Sequence, residues 1–279
     1  MIVTLIVSTK DDDASRNIAS TLLKEYPFEE TSEKFHGNPV YRWISQGREM
    51  RLLTVEGEMV YLQELENLSN VEIIVFVSRH ESRNGRPILS VHVPGNFSTA
   101  EFGGLPEKLS IAPANAMRAA LKDMAQQRID LGLKEFEVYY EGTHHGPSIN
   151  RPSLFVEIGS TPQEWNNPLA GKAVAHAAIT AIQNTLQVMA AVGMGGSHCN
   201  RRLTNISLEF DVAFGHIIPS YAFKWLSPEI LKQCVDKTLE KNPAIVIDWK
   251  GIDGKDRDNL QRILDSVPYQ VRRAAEYRE

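Results

Sequence analysis

Short apolar runs rich in β-branched residues punctuate the chain at Ile2–Ser8, Ile73–Val77, Ile88–Val93, Phe136–Tyr140, Leu154–Ile158, Val188–Met194 and Ala244–Asp248. None approaches the roughly 20 residues a membrane-spanning helix needs. They alternate too little to be strands wetted on one face, so they predict strands buried on both. Such strands require helices to cover them, and helical patterns fill the gaps. Ala14, Ile18 and Leu22 recur at i+4 spacing between Asp11 and Tyr26. Met117, Leu121 and Met124 mark a helix from Ala114 to Leu131, with Gly132 as its stop. Thr161 and Glu164 have capping-box spacing around Pro162, and an Ala-rich helix follows from about Leu169 to Leu186. Ser227-Pro228 opens another helix, and Leu260, Ile263, Leu264 and Val267 mark the last. Alternating strands and helices predict an α/β fold, a three-layer α/β/α sandwich with a mixed sheet. The stretch near 35–61 carries turns at Gly37-Asn38-Pro39, Gly47 and Gly57 and reads as a small antiparallel excursion. With no repeat or linker, residues 1–279 read as one domain.

At 279 residues the chain buries enough surface to need neither disulfide nor structural metal. Its two cysteines, Cys199 and Cys234, make no disulfide framework and suit a reducing cytoplasm. The opening "MIVTLIVSTKDDD" lacks a basic n-region and reads as a first strand, not a signal peptide. Net charge is -5, so a polyanionic partner must be met by a local basic patch.

The chemistry concentrates in "YYEGTHHGP", residues 139–147, which sets two histidines, a carboxylate and a hydroxyl on one turn after a strand. His80 follows "IIVFVSR", His198 follows "AAVGMGGS", His216 follows "DVAFG", and His92 lies within "LSVHVPGN". Ligands of open α/β sheets bind beyond the carboxyl ends of strands, so these histidines are expected to share a cleft. His36 and His176 fall in a turn and a helix and read as incidental. Neutral imidazole binds zinc and a carboxylate often completes the site, and Glu141 and Glu157 are the carboxylates best placed. Neither HExxH nor paired CxxC is present, so no local metal signature exists. Cys199 beside His198 reads as a structural thiol, since adjacent extended residues point apart. Arg79, Arg83 and Arg86 lie in or beside one loop, and Arg201, Arg202 and Lys250 are further candidates for a phosphate-contacting rim.

The blocks "GNPVY", "SRH", "HVPGN", "YEGTHHGP", "FVEIGS", "GMGGSH", "AFGHIIP" and "DWKG", in order from Gly37 to Gly251, resemble those of the archaeal and plant type of D-aminoacyl-tRNA deacylase. The resemblance implies a cytoplasmic esterase that frees a D-amino acid from the 3′ end of tRNA, with bound zinc, more than one ion per chain. It implies a fold similar to the phosphorylase/hydrolase-like group. Residue by residue, His144, His145, Thr143 and Glu141 carry the catalytic expectation. His80, His144, Glu157 and His198 carry the metal, and Arg79, Arg201, Arg202 and Lys250 the tRNA. Thr143 or a glycine N–H is the expected oxyanion donor. No membrane partner is expected, and the chain is expected to be a monomer. Two positions depart from the family pattern: Ser197 stands where a glycine is usual, and Cys199 where an aromatic is usual. Two other readings remain: a zinc exopeptidase or amidohydrolase of small substrates, for which the arginines are bystanders, and a non-enzymatic RNA-binding module with structural histidines.

Overall fold

The first apolar run forms β1 (Ile2–Thr9), whose alternate residues go to opposite cores: Ile6 packs toward helices, Leu5 and Val7 toward the other face. Asp12 then caps α1 (Asp13–Glu25) by accepting from the Ser15 amide. The computed structural model describes residues 2–277. The chain next makes an antiparallel meander, β2 (Glu29–Phe35), β3 (Asn38–Ser45) and β4 (Arg48–Val55). There follow β5 (Val71–Glu81), β6 (Ile88–His92), α2 (Ala114–Asp130), β7 (Glu137–Tyr140), β8 (Ser153–Ser160), α3 (Pro162–Trp165) and α4 (Pro168–Gln183). The remainder is β9 (Met189–Met194), α5 (Arg201–Glu209), β10 (Val212–Ile218), α6 (Pro228–Asp236), β11 (Ala244–Ile247), α7 (Gly254–Asp265) and β12 (Val271–Arg273).

The α/β class and the mixed sheet are as the sequence predicts, but the strands divide between two sheets. One has eight strands in the order β2-β3-β4-β1-β5-β8-β6-β7. Its central neighbours run parallel except at the β6–β8 joint, which is antiparallel. The other is a parallel sheet of four, β10-β9-β11-β12. A shared helical layer lies against both. Ile18 of α1, Met117 and Leu121 of α2, and Val174 and Ala178 of α4 pack in one core with Val75, Val77 and Val156 of the large sheet and Phe214, Ile217 and Val246 of the small one. The far face of the small sheet is covered by α6 and α7 through Leu231, Leu260 and Ile263. On the far face of the large sheet, Leu5, Ile74 and Phe76 meet Met59, Leu62 and Leu65 of a 3-10 segment. That covering stops short, and the uncovered part of this face is the floor of the cleft.

Candidate active site

Side chains on a strand alternate between faces, so register decides which of them meet. Ser78 of β5 is in register with Glu157 of β8, and Glu157 with Ser90 of β6. His80 pairs with Gly159 and His92 with Phe155. These residues share one parity, the face away from the helices; the intervening Val77, Val91, Val156 and Ile158 fill the helical core. The site is therefore built on a sheet face, with Glu157 in mid-strand, and not simply beyond the strand ends. Gly159 makes it possible, since a Cβ there would lie 2.8 Å from His80 Cδ2.

The remaining groups arrive on loops. Glu141, Thr143, His144 and His145 follow β7. His198 follows β9 after Gly195 and Gly196, whose φ of +97° and +78° are left-handed values that favour glycine. The loops are stitched together: Gly142 N donates to His198 O at 2.9 Å, Thr143 N to Ile217 O at 2.9 Å and Asn200 N to Tyr140 O at 2.9 Å. The site thus sits where the two sheets meet.

Glu141 is the hub. His198 Nε2 lies 2.8 Å from its Oε2, and His144 Nε2 lies 3.9 Å from the same oxygen. His80 Nδ1 is 3.0 Å from Oε1, yet the approach lacks hydrogen-bond alignment, so that buried oxygen has no hydrogen-bond partner. Behind it, Ser78 Oγ donates to Glu157 Oε1 at 2.6 Å, and His92 Nδ1 lies 3.8 Å from Glu157 Oε2. His92 stacks on Phe155 with ring centroids 5.1 Å apart and approaches His145, Nε2 to Nε2, at 3.3 Å. His144 Nδ1–H donates to Gly142 O at 2.9 Å and His145 Nδ1–H to Gly146 O at 2.7 Å. Carbonyl partners of this kind fix the tautomer and leave each Nε2 bare.

These contacts set the charge states. Burial raises the Glu141 carboxyl, but His80 and His198 outweigh it and hold the group well below the ordinary range. Burial and then the Glu141 charge push Glu157 well above it. The two buried carboxyls are thus pushed in opposite directions, a division that enzyme sites use. Burial lowers His80, but Glu141 and Glu157 win and raise it to about 9. Burial, with help from neighbouring histidines, holds His92 and His144 well below the usual imidazole value and brings His145 down to about 4. His144 and His145 are therefore neutral at pH 7.

Among the described residues, nitrogen and carboxylate atoms close enough to share an ion fall into three groups: His80, Glu141 and His198; His92, His144 and His145; and His92, Glu141 and Glu157. The orphaned Glu141 oxygen and the bare Nε2 atoms fit a zinc-type donor set. The grouping differs from the sequence expectation. His80 and His198 stay together, but His144 and Glu157 belong with His92, and Glu141 joins the donors. His92, expected near the cleft, was missing from the expected ligands, because its approach to Glu157 depends on the register of β6 against β8.

Other expected residues are placed differently. Thr143 is 2% exposed, and its hydroxyl is taken by His216 Nδ1 at 3.2 Å and the Ile217 amide at 3.2 Å, so it is no oxyanion donor. The neighbouring glycine amides Gly142 and Gly146 are also spent, on His198 and Phe102 carbonyls. His216 lies wholly buried beneath the loop instead of in the cleft. Arg79 and Arg201 line the cleft, Arg79 over Trp165 at 5.6 Å and Arg201 paired with Glu137 and Tyr139. Arg86 lines it as well. Arg202 instead donates to the Ala274 and Tyr277 carbonyls, the latter at 2.9 Å, and so braces the C-terminal segment. Lys250 is exposed on the turn Trp249–Gly251, outside the cleft lining. Burial and Glu141 push the Cys199 thiol up to about 12, which rules out a thiolate nucleophile at neutral pH. Ser197 is exposed at the rim and folds its hydroxyl back onto the Cys199 carbonyl at 2.7 Å. The cleft over all this measures about 1430 Å³.

An α/β scaffold with buried carboxyls pushed in opposite directions and neutral, carbonyl-oriented histidines beneath a deep cleft has the make-up of an enzyme of acid–base or metal-assisted type. The family model described as D-aminoacyl-tRNA deacylase matches residues 68–272, which contain every member of the cluster. The D-aminoacyl-tRNA deacylase of Thermococcus kodakarensis is 40% identical over 94% of this chain and 97% of its own. That of Pyrococcus abyssi is also 40% identical over the same shares, and that of Methanosarcina acetivorans is 33% identical over 98% and 93%. The crystal structure of a conserved protein of unknown function superposes with a TM-score of 0.86 and 32% identity, covering 99% of this chain and 96% of that one. The chain belongs to the D-aminoacyl-tRNA deacylase family.

Proposed function

We propose that this cleft hydrolyses the ester between a D-amino acid and the 3′ ribose of a tRNA, releasing both free. The observation that carries the proposal is the Glu141-centred cluster on the floor of a cleft of about 1430 Å³. Small-molecule sites run to roughly 300–1,000 Å³. The excess suits an aminoacyl nucleoside better than the small substrates of an exopeptidase, and Arg79, Arg86 and Arg201 on the walls suit its phosphates.

An aminoacyl ester is already activated, so the enzyme needs a positioned water, a base and stabilisation of the oxyanion. His144 is the base: its Nδ1–H is committed to Gly142, and its neutral Nε2 faces the cluster. His145, held the same way by Gly146, stands beside it. Glu141 gathers the His80 and His198 imidazoles around the reacting carbonyl. We assign zinc to two of the three sets: His80, Glu141 and His198 would hold one ion and His92, His144 and His145 a second. Bound there, zinc would supply Lewis-acid stabilisation and would lower the pKa of water to about 7. The second ion, were it bound, would take His144 Nε2 as a ligand, so the base role assigned to His144 belongs to the cluster without that ion.

The test is deacylation of D-tyrosyl-tRNA by the wild type, by the chelator-treated protein and by Glu141→Gln. Chelation and the substitution should each lower the rate by about 10²-fold or more. Added zinc should rescue the chelated wild type and not the variant. Full activity in Glu141→Gln would remove the cluster from the chemistry; activity indifferent to chelation would remove the metal and leave the histidines.

A further inference from the structure

We propose that the segment Ser220–Trp225 carries a stacking platform for the adenine of the tRNA's terminal nucleoside, with Trp225 as its principal surface; this rests on the reading of the cleft as the site of ester hydrolysis. The segment is a 3-10 turn after Pro219. Ala222 and Phe223 are buried in the core shared with α6 and α7, which pins it. Ser220 N donates to Gly196 O at 2.9 Å, which ties it to the loop that presents His198. Tyr221, Lys224 and Trp225 are thereby left on the cleft wall. Tyr221 OH lies 3.1 Å from His198 Nδ1, so the strip begins at the catalytic cluster and runs outward.

Nothing in hydrolysis calls for Trp225, which is 38% exposed, or for Tyr221 at 49% and Phe102 at 70%, yet all three aromatics line this one cleft. Exposed apolar side chains scattered singly need no explanation, but a group of them bordering a reactive cluster marks a binding surface. The chemistry of the substrate says what it binds. The base sits on the same ribose that bears the ester, so when the carbonyl is at Glu141 and His198 the base lies one sugar away along the wall. Single-stranded nucleic acid is held by aromatic faces for its bases and cations for its backbone. Lys224 Nζ stands over the Trp225 ring, 4.2 Å from its centroid, so a cation–π contact holds the ammonium on one ring face and a stacked base takes the other. From there the ammonium can meet the phosphate leading to the preceding nucleotide. The strip would thus set the position of the ribose and, through it, of the ester.

The probes are adenosine 5′-monophosphate and ribose 5-phosphate, titrated calorimetrically into the full-length protein, so that binding is read without turnover. The mononucleotide should bind at least about tenfold more tightly, the scale of one stacked base. Trp225→Ala should erase that advantage, Trp225→Phe should keep most of it, and Lys224→Ala should weaken both probes alike. Equal binding of the two probes by the wild type, or an unchanged advantage in Trp225→Ala, overturns the proposal. So does a Trp225→Ala variant whose KM for D-tyrosyl-tRNA rises while mononucleotide binding is unmoved; the strip then serves the amino-acid side chain. Base-selective binding through Trp225 without any hydrolysis of D-tyrosyl-tRNA would defeat the functional reading and leave the platform standing.

Discussion

Thr143 holds the catalytic loop from below. Its hydroxyl accepts from the Ile217 amide and meets His216 Nδ1, both at 3.2 Å, in a fully packed setting. Thr143→Val keeps the shape and removes those contacts, leaving buried polar groups unpaired at about 1–3 kcal/mol. We expect a lower denaturant midpoint and reduced deacylation, with Thr143→Ser close to wild type in both. A valine variant of unchanged stability would mean the hydroxyl anchors nothing. His216 supplies a pH prediction. Burial brings its pKa down to about 3, while the unfolded chain keeps about 6.5. Below pH 6.5 the unfolded state binds a proton that the folded state refuses, so stability is full above that pH and declines as pH falls toward 3. His145, at about 4, adds to the same slope. Urea midpoints measured from pH 7 to 4 should fall steadily, and more shallowly in His216→Asn; a flat wild-type profile would contradict this.

Among the elements, β8 carries the most information per residue. Val156 and Ile158 face the helices while Phe155, Glu157 and Gly159 face the cleft. At Gly159 a methyl group would meet His80 Cδ2 at 2.8 Å and Cβ at 3.0 Å. His80 cannot yield without leaving Glu141, so Gly159→Ala should lower activity by tenfold or more while far-UV circular dichroism stays native. Wild-type turnover in that variant would show that His80 has other room. The sequence displayed these strands as β-branched runs, and α1, α2, α4 and α6 through spacing and caps, because those signals are local. It hid β10, where the polar and small residues of "VAFGHII" break the apolar run, and α5, which opens on two arginines. It also hid His92 as a partner of Glu157, because that pairing depends on the antiparallel register of β6 and β8.

At the scale of the molecule, two sheets share one helical layer, and the cluster forms where the loops after β7 and β9 cross between them. Glu141 comes from one sheet and His198 from the other. No local pattern reports such a meeting; the histidines and Glu141 were visible in the sequence, but the place of Glu141 at their centre was not. The same geometry makes the substrate claim testable as a whole. If walls on both sides fix the ribose and the cluster fixes the carbonyl, the α-carbon has one permitted handedness, since exchanging hydrogen and side chain drives one enantiomer into a wall. The most direct measurement is the rate of deacylation of D-tyrosyl-tRNA against L-tyrosyl-tRNA by the same protein at equal, subsaturating concentration. We predict at least a hundredfold preference for the D ester, which asks only about 2.8 kcal/mol of the site. Equal rates on the two esters, or turnover of neither, would contradict the account.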